Sequence, residues 1–393
     1  MMTLRFILRR NPFNFLWVIF VFVMSISNYS VSVADPIPTA EPTPNLLTCH
    51  AQLGIRSVTF SPDSKYVLAS WSLGEARLWA TEAGTEVRTF YMNPKEDVTD
   101  VAFSPDGNTI ATANANEIML WNTQSGEKLH TLIRELQKDV ATLVTFTNDS
   151  DYVITSGYDG ASLWDIRSGQ KLRSFSGAQD RDIGQYTQLS SDNKYLITAN
   201  SSQVLLWDFN TGEKLHSFNG AIGGMFTPDS KAIMTWGQGD ANGIILWNTE
   251  TFQQVYNFGE FFRPHLWKFS SDGNYLLTRV NTDRNQLGSS LILWNMKTKK
   301  QIRDLQSQGI FEFLPTTNNV LVPDYVFTED SNPVVYSIRS IESDTIVNTI
   351  DLKTTRPTRS QISQDSKLWL IGTAGGSIEV WDLENAQKLH SYC

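Results

Sequence analysis

The stretch FSPDGNTIATANANEIMLWNTQSGEKLHTL, Phe103 to Leu132, decides the fold. Together with the residues leading into it, it holds four strand-length runs, VTDVAF, TIATA, IMLW and KLHTL, parted by turn chemistry. In the first turn, SPDG, Pro105 presets φ, Ser104 and Asp106 can bond nearby backbone, and Gly107 accepts a positive φ. The turn after the tryptophan, NTQSG, opens on Asn122 and closes on Gly126, as a hairpin with a left-handed position requires. The runs between these turns suit strands buried between neighbouring sheets. No helix of useful length is expected after residue 45.

The same pattern recurs along the chain, as in FSPDSKYVLASWSLGEARLWATEAGTEVRTF from Phe60 to Phe90. Aligned on the aromatic residue after the short apolar run, Trp79, Trp121, Trp164, Trp207, Trp247, Trp294, Tyr336 and Trp381 fall in register at intervals of 40 to 47 residues. A repeat of this length with four strands per unit predicts an all-β fold, a single β-propeller of four-stranded antiparallel blades over residues 46–393. Eight blades are expected, the seventh being degenerate, with a seven-bladed ring as the alternative.

These residues resemble the WD-repeat (WD40) propeller family. The dipeptide survives at Trp164-Asp165, Trp207-Asp208 and Trp381-Asp382 and becomes Trp-Asn at Trp121, Trp247 and Trp294. The family's Gly-His pair is missing, and its turn aspartate is clear only at Asp159, so its buried hydrogen-bond network is not carried over. The family implies a scaffold that binds proteins or peptides.

The 393-residue chain carries a formal charge of −9. Its first 34 residues hold Arg5, Arg9 and Arg10 and no acid, leaving 29 basic against 41 acidic side chains beyond them. Nucleic acid is therefore not an expected partner. The arginines, the apolar run Phe15 to Ile26 and the small residues Ser32 and Ala34 predict a signal peptide over 1–34. At twelve residues the run is short of the roughly 20 that span a bilayer. The expectation is a periplasmic or secreted monomer with no membrane span after cleavage. An uncleaved membrane anchor is the alternative. Residues 35–45, with four prolines between Asp35 and Pro44, read as an extended linker.

The only cysteines are Cys49, entering the first unit, and Cys393, leaving the last. In an exported protein a disulfide between them would fasten the ring, the alternative being two separate thiols.

Catalytic and metal-binding patterns are not found. His130, His216 and His390 share one repeat position, and His50 and His265 have no partners at ligand spacing. No nucleophile motif or phosphate-cradling loop is present. The repeated aspartates, such as Asp63 and Asp106, read as solvated turn formers. No cofactor and no catalytic residue is assigned. The units become individual at their second-to-third strand tips, where Trp71, Tyr158, Asp159, Trp236, Arg279 and Arg284 form the candidate partner-contacting set. For the tryptophans, packing inside the ring is the alternative. The function expected is a non-catalytic exported scaffold. The alternative is a propeller enzyme, of hydrolase or lyase type, with its site in the central channel.

Overall fold

The computed structural model describes residues 54–392 other than 73, 134–142, 158–159, 176–185, 201, 238–242, 261, 282–288, 306–308, 318, 326–333 and 354–356. Cys49, Cys393, Tyr158, Asp159 and Arg284 lie outside them, as do the leader and the linker. The described residues contain no helix and form eight four-stranded sheets, each built from four consecutive antiparallel strands. The blades cover residues 55–91, 100–133, 143–175, 186–219, 221–260, 262–304, 312–351 and 357–392. First strands touch at six of the eight blade junctions, blade 1 to blade 8 among them, and buried side chains pack blade 3 on blade 4 and blade 5 on blade 6, so the eight-bladed ring is closed.

Blade 2 shows how the repeat builds a blade. Its strands run Asp100–Phe103, Thr109–Ala113, Glu117–Asn122 and Lys128–Ile133 from the axis outward. The second strand is buried along its whole length, because both its faces meet neighbouring blades. Five blades tie their third strand to their second by one side-chain bond. The indole N–H of Trp121, Trp164, Trp207, Trp247 and Trp294 donates to Thr112, Thr155, Thr198, Thr235 and Thr278 at 2.8–3.0 Å. A buried indole N–H needs such a partner, and threonine also suits a strand.

Blade 7 departs from the expected register. The turn in which the Gly126 amide donates to the Asn122 carbonyl is matched there by Asp344 to Ser340. Arg339, not Tyr336, therefore stands where the other blades have tryptophan. Its guanidinium bonds Ser337 Oγ at 2.8 Å and Asp324 Oδ1 at 2.6 Å, replacing the tryptophan–threonine link with an ion pair inside the blade. Tyr336 is buried three residues earlier, with its ring 4.7 Å from that of Trp369 in blade 8. Spacing and aromaticity favoured Tyr336 in sequence; the turn settles the register.

A repeated device joins the blades at their rims. In every outer strand the third-to-fourth strand pairing skips one residue, from Val87 in blade 1 to Leu389 in blade 8. Such a bulge twists an open edge away from further pairing and re-aims the next side chain. That next side chain reaches the following blade. Arg88, His130, Arg173, Asn348 and His390 bond the backbone carbonyls of Gln124, Arg167, Phe209, Leu383 and Glu82. The tight turn that receives the latch carries glycine in blades 1–4. A Cβ on Gly126 would come within 2.1 Å of the Arg88 guanidinium. In blades 5 and 7 the turn residue is larger and the latch adapts, His216 stacking on Phe252 at 5.0 Å and Arg303 pairing with Asp344 at 3.2 Å. Three of the five histidines are thus latches.

The last blade ends in its own outer strand, so the seam between blades 8 and 1 is closed by side chains without strand exchange. Phe60, Trp71 and Trp79 pack against Leu370, Ile378, Val380 and Tyr392. The Phe60 amide donates to Gln361 Oε1 at 2.7 Å and the Trp71 indole N–H to the Gly376 carbonyl at 3.1 Å. Burial in this seam pushes the Tyr392 phenol up to about 12.

Candidate functional site

The ring has two chemically different ends. At one lie the first-to-second and third-to-fourth strand turns, here the turn end. At the other lie the second-to-third strand tips and the connections between blades, here the loop end.

The turn end repeats itself. In seven blades a Ser or Thr hydroxyl donates to the aspartate two residues on, from Ser61 to Asp63 through Ser363 to Asp365, at 2.5–2.7 Å. The residue after the aspartate is left-handed in each, as at Ser150 with φ 63° and Gly107 with φ 74°. Partial burial pushes the carboxyls of Asp63, Asp106, Asp192, Asp229, Asp272 and Asp365 up. The hydroxyl and backbone bonds together outweigh it and hold each below the ordinary value. These aspartates close turns and have no catalytic geometry; they stand one per blade.

The channel is clamped by inner-strand carboxylates that sequence reading passed over. Asp100 accepts from Ser57 Oγ at 2.8 Å and from the Val144 amide at 3.0 Å, linking blades 1, 2 and 3. The enclosing strands push its carboxyl up, against the pull of these bonds and of Arg359. Glu312 takes Lys268 of blade 6 and, at 2.6 Å, Ser360 Oγ of blade 8. Gln188 Oε1 accepts from the Phe226 amide at 2.9 Å and repeats the seam bond of Gln361. A signal existed for Asp100 and Glu312: each is the single charged residue of an otherwise apolar strand, DVAF and EF. Among the described residues no group of three or more His, Cys, Asp or Glu could hold a metal ion.

The loop end is where blades differ. In blades 2 and 4 the tip is three residues closed by a buried asparagine. Asn114 Oδ1 accepts from the amides of Asn116 and Glu117 at 2.9 and 2.8 Å, and Asn200 repeats this with Ser202 and Gln203. The tips lengthen to 238–242, 282–288 and 326–333 in blades 5, 6 and 7. Blade-to-blade connections follow a different rule: 92–99, 134–142 and 176–185 after blades 1–3, but only Gly220 after blade 4 and residue 261 after blade 5. After blades 6 and 7 the connections lengthen again, to 305–311 and 352–356, so loop length varies around the whole of this end.

Three of the candidate contact residues are described, and all three are packed between blades. Trp71 is 4% exposed, with its ring 5.5 Å from Trp79 at the seam. Trp236 is 3% exposed and stacks on Trp267 of blade 6 at 4.7 Å. Its cross-strand partner is Gly223, where a Cβ would lie 2.4 Å from the indole. Arg279 is 8% exposed, bonded to the Gly309 carbonyl and 5.5 Å over the Phe311 ring of blade 7. Most other blades keep a small residue there, including Ser70, Ala113, Ser156 and Ala199, so blades 5 and 6 use this position as a wedge. The side chain of His265 lies outside the described residues.

An eight-bladed, all-β propeller with one uniform and one variable end is the class that this architecture defines. Residues 42–79 and 84–122 match the WD40 family model, described as WD domain, G-beta repeat. These repeat matches and the eight-bladed ring together support the WD40 propeller family. No curated protein matches the chain. Among solved structures 1594 chains match. One is the crystal structure of the computationally designed Ika8 protein, 18% identical with a TM-score of 0.65, covering 84% of this chain and 97% of Ika8. At that identity the likeness speaks for the fold alone.

Proposed function

We propose that the protein is a non-catalytic scaffold that binds a protein or peptide across its loop end. One observation carries this reading: turn chemistry is repeated almost unchanged at one end, while connections of different length and sequence are gathered at the other. A rigid scaffold with variable loops at one end is the arrangement that recognition uses. The WD40 repeats support protein binding as the general role. Trp71, Trp236 and Arg279 enter this reading as supports beneath the loops. Tyr158, Asp159 and Arg284 are placed in the contacting set. We further propose export by the N-terminal leader and a Cys49–Cys393 disulfide across the seam.

The test replaces residues 238–242 and 282–288 with the three-residue tip of blade 2, Asn114 to Asn116. Affinity purification from the native compartment with the parent protein defines the partner. The graft is expected to melt cooperatively near the parent and to lose that partner. Retention of the partner by a folded graft would overturn the loop-end reading.

A further inference from the structure

A notch of about 280 Å³ opens at the turn end between blades 5 and 6. Its apolar wall includes Ala232, Leu246 and Met296, and Lys231, Lys297 and Lys299 line its polar side with Asp229 and Asp272. Both carboxylates already serve their own turns. Asp229 accepts from Thr227 Oγ1 at 2.6 Å and from the Lys231 amide at 3.1 Å. Asp272 accepts from Ser270 Oγ at 2.6 Å and from Asn274 at 3.0 and 2.7 Å.

The lysines are not neutralised in this way. At the sister turns of blades 1 and 4, Lys65 closes on Asp63 at 3.2 Å and Lys194 on Asp192 at 3.5 Å. Among the described residues no carboxylate stands within 4.0 Å of the ammonium groups of Lys231, Lys297 or Lys299. The turn Asn295 to Lys300 carries three lysines and no acid in a chain of net charge −9. Lys299 bears two costs. Its φ of 59° is left-handed at the turn position that blades 1–4 give to glycine. Burial pushes its ammonium pKa down, against the charge of Asp229. At the same position Phe252 is compensated by stacking with His216, and Asp344 by Arg303. Among the described residues Lys299 has no ring stack or close ion pair of this kind, only the longer-range pull of Asp229.

We infer that this notch binds a phosphate or sulfate monoester. The three ammonium groups take the oxyanion as point charges, and Ala232, Leu246 and Met296 take an apolar stem. A dianion matches three lysines better than a lone carboxylate, and the site is independent of the loop-end reading.

The probes are phenyl phosphate and inorganic phosphate, each against chloride at matched ionic strength, with the melting midpoint of the mature chain as readout. Phenyl phosphate is expected to raise the midpoint saturably by about 2–4 °C and to act at lower concentration than inorganic phosphate. Lys299→Gly, which installs the residue of the sister turns, is expected to melt no lower than the parent in chloride and to lose the response. Lys297→Gln is expected to weaken it. A shift of equal size in parent and Lys299→Gly is a general salt effect and overturns the site, as does no shift. Equal potency of the two anions overturns the role of the apolar wall.

Discussion

Trp79→Ala is expected to destabilise the protein by about 3–5 kcal/mol, the range for truncating a fully packed aromatic residue. The indole is 4% exposed, edge-on to Trp71 at 5.5 Å and stacked on Tyr392 at 5.2 Å, so it is the centre of the blade 8 to blade 1 contact. Five other blades hold their tryptophan with a threonine bond, but blade 1 has Ala69 at that place, and packing alone fixes Trp79. Only Tyr392 and the residues around it could fill the space, and the outer strand that carries Tyr392 is the end of the last blade. The loss should be local before it is global. Urea denaturation measures the size, and hydrogen exchange at the Phe60 amide, which bonds Gln361 across the seam, reports the opening. A cost below about 1 kcal/mol, or unchanged exchange at Phe60, would contradict the seam as described.

The second large effect belongs to the wedge in blade 5. Trp236→Ala should also cost about 3–5 kcal/mol, since the side chain is buried and stacked on Trp267. Gly223→Ala should cost about 1–3 kcal/mol, because its new methyl would meet the indole at 2.4 Å in a filled space. Combined, the two should not add. Once the indole is gone, alanine at 223 has room, so the double variant should be no less stable than Trp236→Ala, giving a coupling of about 1–3 kcal/mol. Additive losses would show that Gly223 does not exist to admit Trp236.

This pair also shows what the sequence could and could not reveal. The repeat, the turns and the blade count were legible because SPDG-like and NTQSG-like segments carry their geometry in their residue types. A departure such as Trp236 or Arg279 was legible as a departure but not as a contact or a wedge. The compensating residue lies on a neighbouring strand, and strand register was needed to see Gly223 beside Trp236 or Gly372 beside Arg359. Blade 7 failed for a related reason. Arg339 supplies with an ion pair what tryptophan supplies elsewhere with packing, and no apolar pattern signals that exchange. The latches were half visible: histidine and arginine interchanged at one position, yet their partner is a backbone carbonyl, which has no sequence signature. The lysines of the blade 6 turn were visible as residues, but the left-handed backbone and partial burial of Lys299 were not.

The loop-end reading depends on the ring being closed with eight blades, because only then do the loops of blades 1 and 8 share one surface. The direct measurement is a pair of spin-label distances. Val87, Val347 and Leu389 are equivalent exposed bulge residues of blades 1, 7 and 8. With Cys49 and Cys393 replaced by serine, labels at 87 and 389 should give the same distance as labels at 347 and 389, since both pairs then span neighbouring blades. A distance between 87 and 389 clearly longer than that between 347 and 389 would contradict the closed ring, and with it the single loop end.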